Sequence, residues 1–409
     1  MKYCKRCVQP DTRPHVKFDD EGICGGCRWE ESKKTIDWDA RKKELQDIAD
    51  WAKENSNCSY DCVIGVSGGK DSHYQVWYAK YKLGLNPLCV CNAPDGRTKV
   101  GTHNLENLRS KFKVDLIEIR PDPEVMRALT KRDFLKFGNL VKSSEYSLWA
   151  SAYRVAVEKE IPLVIQGENP ELIFGLEGKV DGGNALTIKD NNTIEGCNAD
   201  DLVINKDNAR HYETIEVPRE KLDMFDFPEE LNYFKQTKTI QKLPSGDNYT
   251  ETEEELVDIK GVFLQYYDKN WGQVHNTLFS RSWGLKGRYD EEPVDMGRSA
   301  RETSVDGDHL LVNQYLKYLK FGFGYETDWQ CYLIREIGAD RDEAIDAVKR
   351  LDHGCHPRYI KDFCAYIGIT MEEFFMKLQD IVNPKLFYWS PSVGNYVPTF
   401  KVGVNKGDK

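Results

Sequence analysis

Short apolar stretches alternate with longer stretches of helical periodicity between residues 58 and 166. The short stretches predict strands at 61–66, 87–92, 115–120 and 163–166. The stretches between them predict helices at 71–82, 103–111 and 147–159. This alternation predicts an α/β fold with a doubly wound parallel sheet, which binds its ligand beyond the carboxyl ends of the strands.

The pattern changes on both sides of this region. Residues 38–55 have an amphipathic helical pattern, and further helices are predicted at 310–320, 328–338, 341–351, 357–365 and 371–382. With 409 residues, the chain is long enough for more than one domain. The predicted parts are a four-cysteine module (1–37), a helical linker (38–57), the α/β domain (58–235) with a polar loop (176–212), and a mainly helical C-terminal region for substrate or partner (236–409). We interpret the polar loop as a substrate-covering element.

Charge and hydrophobicity exclude some classes of protein. The 57 basic and 67 acidic residues give a net charge of −10, which argues against a broad nucleic-acid surface. No apolar stretch approaches the roughly 20 residues of a membrane helix. The N-terminus has no apolar signal core. We therefore expect a cytoplasmic protein without a membrane partner, whose twelve cysteines are reduced thiols or metal ligands.

A glycine-containing turn follows the first predicted strand. It consists of Val66 and the six residues Ser67, Gly68, Gly69, Lys70, Asp71 and Ser72. The glycines let the backbone close around an anion, and the first amides of the next helix point at it. Lys70 adds positive charge, and Asp71 caps the helix or holds Mg²⁺. A turn without a ligand is the alternative.

The turn is not a Walker A loop, because Gly65 and Gly69 enclose three residues rather than four and Asp71 follows the lysine. The sequence Ser-Gly-Gly-x-Asp-Ser instead resembles the pyrophosphate loop of the N-type ATP pyrophosphatases (adenine nucleotide alpha hydrolase-like fold). The resemblance implies cleavage of ATP to AMP and pyrophosphate, with Lys70 and Asp71 as the catalytic residues.

Two C-x-x-C pairs lie near the N-terminus. Cys4 and Cys7 form the first pair, and Cys24 and Cys27 form the second. This spacing is typical of a tetrahedral zinc site, and four thiolates leave no open position for a reacting water. We therefore predict a structural Zn²⁺ site. An iron-sulfur or redox role is the alternative.

Two other strand ends are predicted to face the turn. The second strand ends at Asn92 and is followed by Arg97, which could contact phosphate. The fourth is followed by Gly167, Glu168 and Asn169, which could approach ribose, metal or substrate. An ordinary capped turn is the alternative for this second group.

Two later segments supply candidate substrate contacts. Arg288 belongs to a basic group within 281–308, which could bind phosphate or carboxylate or form a solvated face. Lys320, Thr327 and Asp328 belong to a glycine-containing segment between two predicted helices. That segment could be a site or a plain turn capped by Thr327 or Asp328.

Together, the four-cysteine module, the Ser67–Ser72 loop, the 167–169 strand end and the 320–328 segment resemble the N-acetyl sugar amidotransferase family. Its relatives install acetamidino groups on pseudaminic, legionaminic or mannuronic acid derivatives of bacterial surface glycans. The resemblance implies an N-acetylated sugar or nucleotide-sugar substrate. It also implies ATP and Mg²⁺, an adenylylated intermediate, and ammonia from a separate glutaminase.

The sequence itself lacks a recognisable glutaminase motif. Cys197 is not followed by the second glycine of a nucleophile elbow, and Lys2 occupies the position of an N-terminal cysteine nucleophile. The main alternative function is a tRNA thiolase, for which Cys89, Cys91 and Cys197 are candidate thiols. A scaffold that binds ATP without turnover is a third reading.

Overall fold

Five parallel strands form the central sheet, in the order β3-β2-β1-β4-β7. The structure is a computed structural model that describes residues 1–176, 182–190, 198–208, 216–228, 233–242 and 249–405. The strands are β1 (Cys62–Gly65), β2 (Pro87–Asn92), β3 (Asp115–Ile119), β4 (Leu163–Gln166), β5 (Tyr233–Lys242), β6 (Tyr249–Asp258), β7 (Lys260–Phe263), β8 (Phe387–Ser390) and β9 (Asn395–Pro398). β5 pairs with β6, and β8 with β9, as separate antiparallel ribbons.

Helices surround this sheet and form most of the C-terminal part of the chain. They are α1 (Gly25–Ser32), α2 (Trp38–Asn55), α3 (Lys70–Tyr81), α4 (Lys99–Phe112), α5 (Pro123–Phe137), α6 (Lys142–Glu158), α7 (Pro170–Phe174), α8 (Leu264–Tyr267), α9 (Gln273–Ser282), α10 (Pro293–Met296), α11 (His309–Phe321), α12 (Tyr325–Ile337), α13 (Arg341–Leu351), α14 (Pro357–Ile367) and α15 (Met371–Ile381). No helix of the described residues is long and apolar enough to cross a membrane.

The strand order creates a switch point between β1 and β4. From β1 the chain moves outward to β2 and β3, and it then returns to pair β4 with the other side of β1. The loops that leave β1 and β4 therefore diverge, and a crevice opens between them at the carboxyl edge. This topology confirms the predicted doubly wound parallel sheet.

Alternate strand residues pack on opposite faces of the sheet. Cys62 and Ile64 join the apolar core shared with α2, α3 and α4. Val63 lies in the core on the other face, with residues of α6. Both faces are covered, which is why these strands are apolar at nearly every position rather than at alternate ones.

The sequence placed the first four strands well. β2 and β4 have the predicted bounds, and the ends of β1 and β3 differ from prediction by one residue or less. The fifth strand, β7, was not predicted, because Lys260–Phe263 is short and contains a glycine. It pairs with β4 and lies beyond residue 235, within the stretch expected to be the C-terminal region. The sheet thus draws strands from both sides of that expected boundary.

The segment expected to be a linker packs as part of the sheet domain. Leu45, Ala49 and Ala52 of α2 are fully buried in the core below the sheet. The predicted polar loop 176–212 lies partly outside the described residues, since 177–181, 191–197 and 209–212 are not described.

The C-terminal helices pack in two groups. α11, α14 and α15 share a core with α5, in which Phe134 stacks on Phe374 at 5.1 Å between ring centroids. α12 and α13 instead pack against the N-terminal module through Cys331, Ile345 and Val348. The two ends of the chain therefore meet in three dimensions.

The N-terminal module docks on the loop that follows β4. Gly175 has φ +65°, and a Cβ atom built there would lie 2.2 Å from the backbone nitrogen of Gly26. A Cβ atom at Gly25 would likewise lie 2.7 Å from the Cα of Gly175. Because these backbones touch, α7 and the cysteine module hold each other in place.

We expect Gly175→Ala to disrupt this docking. Gly338→Ala is the matched control, because Gly338 also ends a helix with positive φ (+69°) but has no atom within 4 Å of its Cβ position. The control should lose about 1 kcal/mol of unfolding free energy, the cost of a left-handed alanine. Gly175→Ala should lose at least about 2 kcal/mol more through the clash. Urea unfolding measures both; equal losses would contradict the prediction.

Candidate active site and metal centre

The Ser67–Ser72 turn has the geometry of an anion site. Gly68 has φ +84°, and helix α3 begins at Lys70 with Gly69 as its cap. No side chain caps this terminus, so the first amides of α3 remain available for a ligand. The Ser72 hydroxyl accepts the Ser67 amide at 3.0 Å, which fixes the shape of the turn.

Three charged side chains converge beside the turn. The Lys70 ammonium forms an ion pair with Asp71, and its Nζ lies 3.8 Å from Oε1 of Glu168. Lys70 is buried, and the nearby carboxylates raise its pKa, so it stays charged. Desolvation and the Asp71 carboxylate raise the pKa of Glu168. The neighbouring carboxyl groups of Asp71 and Glu168, the acid pair, therefore favour a bound cation.

Helix α9 positions these groups and was not foreseen in the sequence. Gln273 donates to Glu168 at 2.6 Å, Asn276 donates to Asp71 at 2.8 Å, and Ser280 donates to the Lys70 carbonyl at 2.6 Å. All three are buried. These three residues are spaced so that they lie on one face of a helix. This spacing could have indicated their role, because polar side chains that a helix buries need polar partners.

The turn forms one wall of a cleft with a volume of about 320 Å³. The opposite wall comes from the C-terminal part of the chain, through the loop 302–306 and through α11 and α12. Its lining includes Gln314, Lys317, Tyr325, Asp328 and Tyr332. The cleft lies at the switch point of the sheet, where this topology binds ligands.

The structure divides the predicted 167–169 group. Glu168 lines the cleft. A Cβ atom at Gly167 would meet the Trp271 ring at 2.6 Å, so this glycine serves packing inside the protein. Asn169 is fully buried, caps α7 and donates to the Gly182 carbonyl. Glu168 is thus the member of the group that faces the cleft.

The two predicted residues at the first strand ends lie beside the turn. Val66 is buried, and its amide donates to the Val90 carbonyl. Gly65 pairs with Val90, which brings Asn92 level with Ser67 along the neighbouring strand. The side-chain oxygen of Asn92 is buried and has no partner in the described residues. Asn92 does not line the cleft itself.

The two predicted arginines are held by protein carboxylates. Arg97 forms a forked pair with both oxygens of Glu118 at 3.1 and 3.2 Å. Arg288 is buried and bonds to Glu291, Asp308 and the Ser304 carbonyl. Neither lines the cleft. Arg288 instead supports the loop 302–306, because its bond to Ser304 fixes that loop from behind.

Of the three residues predicted in the 320–328 segment, one lines the cleft and two do not. Asp328 lines the cleft, where it pairs with Arg13 and Lys317. Thr327 is buried and bonds to Asp352 through its amide and hydroxyl, which is a structural role. Lys320 lies outside the cleft and donates to the Phe137 carbonyl. Both Thr327 and Asp328 lie inside α12, which begins at Tyr325 after Gly324, so neither is its cap.

Arg13 is a cleft residue that the sequence did not reveal. It belongs to the N-terminal module, and its partner Asp328 lies 315 positions later in the chain. The guanidinium lies between the rings of Phe174 and Phe323, at 4.2 and 4.6 Å from their centroids. No local pattern marks such a residue, because its role arises from the docking of the module.

The four predicted zinc ligands converge. The Sγ atoms of Cys4 and Cys27 are 3.9 Å apart, and those of Cys7 and Cys24 are 3.7 Å apart. A tetrahedron with Zn–S bonds of about 2.3 Å has edges of about 3.8 Å. All four residues are buried, and among the described residues no other group of three or more could hold a metal. The geometry fits a closed, structural Zn²⁺ site.

Helix α12 supplies an outer contact to this site. Arg335 donates to the sulfurs of Cys7 and Cys24 at 3.4 and 3.3 Å and to the Ile173 carbonyl at 2.9 Å. Positive charge and N–H donors stabilise ligating thiolates. The same arginine therefore joins the cysteine site to α7.

Asp71 and Glu168 are the residues that could hold Mg²⁺. Mg²⁺ binds through one or two carboxylates together with substrate phosphates. The cleft is lined by more acidic than basic side chains: Asp71, Glu168, Glu302, Asp306 and Asp328 against Arg13, Lys70 and Lys317. A polyphosphate would therefore need a cation to enter, and the acid pair beside the turn suits that cation.

Two of the cysteines considered as reactive thiols are core residues. Cys89 and Cys91 are buried in β2, and burial raises the pKa of Cys91 to about 12. Thiols of this kind are poor nucleophiles. Cys197 lies outside the described residues.

Comparisons with known proteins found a family model that matches part of the C-terminal region. A family model described as LPS biosynthesis protein WbpG-like, C-terminal domain, matches residues 287–397. An uncharacterized protein of Methanocaldococcus jannaschii, MJ1599, is 30% identical over 120 residues, which are 29% of this chain and 43% of that protein. The chain thus spans less than half of that relative.

Two solved structures share limited similarity. An NH3-dependent NAD synthetase from Campylobacter jejuni, in complex with nitrate, has 21% identity and a TM-score of 0.28 over 35% of this chain and 62% of its own. The NMN synthetase from Francisella tularensis has 20% identity and a TM-score of 0.25 over 33% and 56%. The fold assignment rests on the sheet order of this chain itself.

We expect Gly68→Ala to distort the anion turn. Its positive φ costs an alanine about 1–3 kcal/mol, and the added Cβ would lie 2.7 Å from the Leu105 backbone nitrogen. Gly69→Ala is the control for stability, since its φ is −74° and its Cβ would meet only the Ser67 side chain. Thermal unfolding should show a clear loss for Gly68→Ala and less than about 1 kcal/mol for Gly69→Ala. A reversed order would contradict this geometry.

We expect one zinc ion per chain, which Cys4→Ser should release. Cys58→Ser is the control, because Cys58 is an exposed free thiol. Elemental mass spectrometry measures the zinc content and thermal unfolding the stability. The Cys4→Ser protein should lose most of its zinc and unfold at lower temperature, since metal binding and folding of such modules are coupled. Unchanged zinc content would refute the assignment.

Proposed function

We propose that this protein is an ATP-dependent amidotransferase. It converts the N-acetyl group of a bacterial surface-glycan sugar to an acetamidino group, with AMP and pyrophosphate as products. The observation that carries the proposal is the cleft itself. One wall is the turn with Lys70, Asp71 and Glu168, and the other lies within the region matched by the WbpG-like model.

The first step activates the acceptor amide. An amide carbon is a poor electrophile, so its oxygen attacks the α-phosphorus of ATP, the α–β bridging bond breaks, and pyrophosphate leaves. The amides at the start of α3 and the Lys70 ammonium stabilise the charge that develops on pyrophosphate. Asp71 and Glu168 would hold Mg²⁺, which would supply positive charge to offset the repulsion between these carboxylates and the phosphates.

The second step replaces oxygen by nitrogen. Ammonia adds to the carbon of the O-adenylyl imidate, the C–O bond breaks, and AMP carries away the former amide oxygen. The product contains the original amide nitrogen and the nitrogen from ammonia, and it is protonated as an amidinium ion. The protein contributes mainly by holding the two reactants in the cleft, which removes much of the entropic barrier.

Ammonia comes from a separate glutaminase in this proposal. We assign acceptor binding to the C-terminal region, because α11 and α12, which line the cleft, belong to it. The buried thiols of β2 favour this reaction over tRNA thiolation, since a thiolase needs reactive cysteines near its cleft.

A direct assay tests the reaction. The full chain is incubated with ATP, Mg²⁺ and ammonium, together with free or nucleotide-linked N-acetylated sugars, and AMP release and product mass are followed. Exchange of one oxygen for an NH group in the sugar is the expected result. Sulfur incorporation into tRNA, or no AMP with any acceptor, would overturn the proposal. Hydrolysis of glutamine by the purified chain would overturn the separate glutaminase.

We expect Lys70→Met to lower AMP formation by about 100-fold or more, because it removes the buried charge beside the leaving pyrophosphate. Lys82→Met is the control, since Lys82 is an exposed lysine just beyond the end of the same helix. It should retain wild-type rates. Initial rates at saturating ATP measure both. Similar rates for Lys70→Met and wild type would contradict the role of Lys70 and its turn in this reaction.

A further inference from the structure

The cleft wall opposite the anion turn contains a loop with an unusual backbone. Residues 302–306, which lie between α10 and α11, all line the cleft. Ser304, at the centre of this loop, has φ +48°, a left-handed conformation that residues other than glycine seldom adopt. Such a conformation costs free energy and persists only where the surroundings enforce it, which is common at ligand sites.

The loop offers hydrogen-bond donors that the protein does not use. In the part of the chain that the structure describes, the backbone amides of Ser304 and Val305 have no acceptor. The hydrogen of the Ser304 hydroxyl also has no acceptor among these residues, although its oxygen accepts a bond. Loops with a left-handed residue and unpaired amides bind anions in many proteins.

Arg298 lies behind this loop and is fully buried. One of its terminal nitrogens donates to the hydroxyl oxygens of Ser304 and Thr303, at 2.7 and 3.3 Å. Its Nε and its other terminal nitrogen have no partner in the described residues. Burial lowers the pKa of Arg298 to about 10, so the guanidinium is still charged at neutral pH.

The charge of Arg298 lacks a close counter-charge. Among the described residues, no carboxylate forms an ion pair with it. Glu326 and Asp328 act on it from a greater distance, and Asp328 already pairs with Arg13 and Lys317. Proteins rarely bury a charge without a partner, because its removal from water is costly. An anion in the cleft, on the other side of the loop, would supply that partner.

Arg298 also contacts a second hydroxyl-bearing residue of the same wall. Its guanidinium lies over the ring of Tyr325, at 4.2 Å from the ring centroid. Tyr325 lines the cleft, and its hydroxyl contacts the Thr303 side chain. Burial raises the pKa of this phenol, so it stays protonated and can donate a hydrogen bond. The Tyr325 and Ser304 hydroxyls thus share one buried cation, which makes both of them stronger donors.

Two carboxyl groups of the same loop are already offset within the protein. Glu302 accepts a hydrogen bond from Tyr289 at 2.6 Å and pairs with Arg281 at 3.5 Å. Burial raises the pKa of Asp306, which favours its neutral form, and the positive charge of Arg288 acts on it. These acids therefore do not cancel the charge that Arg298 places behind the loop.

We propose that the loop 302–306 and Tyr325 form a second phosphate-binding element, on the wall opposite the Ser67–Ser72 turn. The Ser304 and Tyr325 hydroxyls donate to the oxygens of a phosphoryl group, and Arg298 is their positioning residue. Several donors around one buried positive charge suit the oxygens of such a group. The inference rests on the proposed function, because it takes the turn as the place of pyrophosphate. The phosphoryl group is then the α-phosphoryl group of ATP or a phosphate of a nucleotide-linked acceptor.

Binding of three phosphate compounds tests the assignment. The full chain is titrated calorimetrically, in the presence of Mg²⁺, with AMP, with UDP-N-acetylglucosamine and with pyrophosphate. Ser304→Ala and Tyr325→Phe should each lower the affinity for AMP or for UDP-N-acetylglucosamine about tenfold, as expected for a hydrogen bond to a charged group. The compound that is affected identifies the source of the phosphoryl group. Pyrophosphate affinity should change less than about twofold, because the turn binds it, whereas Lys70→Met should weaken pyrophosphate most.

Two comparisons separate binding from folding. Ser304→Gly also removes the hydroxyl, but glycine adopts a positive φ without strain. It should therefore unfold at the same temperature as Ser304→Ala or at a higher one, and still show the loss of affinity. Tyr81→Phe is the control for Tyr325→Phe, since Tyr81 is an exposed tyrosine at the end of α3. It should bind all three compounds as the wild type does.

Variants of Arg298 test its positioning role. Arg298→Met should lower the same affinity as the two hydroxyl variants. Arg298→Lys retains a positive charge and should recover part of the affinity. Thermal unfolding shows which variants are folded. If Arg298→Met does not fold, the Ser304 and Tyr325 variants decide whether the site exists.

The outcomes also separate this inference from the proposed function. Unchanged affinities in the folded Ser304 and Tyr325 variants would overturn the inference. An equal loss for all three compounds, or a loss confined to pyrophosphate, would overturn it as well. Loop-dependent binding without AMP formation from ATP and any acceptor would support the site and overturn the reaction. Amidine formation at wild-type rates by the same variants would support the reaction and overturn the site.

Discussion

Helix α12 connects the cysteine site and the cleft, and the geometry of both depends on how it packs. At one end, Arg335 donates to two of the ligand sulfurs and to the carbonyl of Ile173 in α7. At the other end, Asp328 holds Arg13 and Lys317 at the cleft. The contact of Gly175 with Gly26 closes this arrangement, since it leaves no room for either backbone to shift. The four-cysteine site is thus connected to the cleft through α12.

The electrostatics of the cleft separate two regions. Beside the anion turn, the two carboxyl groups of Asp71 and Glu168 outnumber the single ammonium of Lys70, an arrangement that would suit a divalent cation. At Asp328 the balance is reversed, because two cations, Arg13 and Lys317, pair with one carboxylate.

Buried polar groups account for much of what keeps this site rigid. Helix α9 uses Gln273, Asn276 and Ser280 to fix the residues around the turn. Asp352 similarly fixes the start of α12 through Gly324 and Thr327. Each bond spans elements that are far apart in the chain, and a buried polar group left without a partner would destabilise the fold. These contacts fix the residues around the turn on one wall of the cleft and the start of α12 on the other.

The sequence by itself determined the features that depend on neighbours along the chain. Strand and helix periodicity, the anion turn at Ser67–Ser72 and the two cysteine pairs are local patterns, and steric and ligand-geometry rules act over a few residues. Only the tertiary structure decided which polar residues face the cleft. Glu168 lines the cleft, whereas Gly167 and Asn169 do not. Arg97 and Arg288 pair with carboxylates, and Arg13 of the N-terminal module lines the cleft. The physical reason is that these contacts join residues that are far apart in the sequence, up to hundreds of positions. They depend on how the elements pack, which local spacing does not specify.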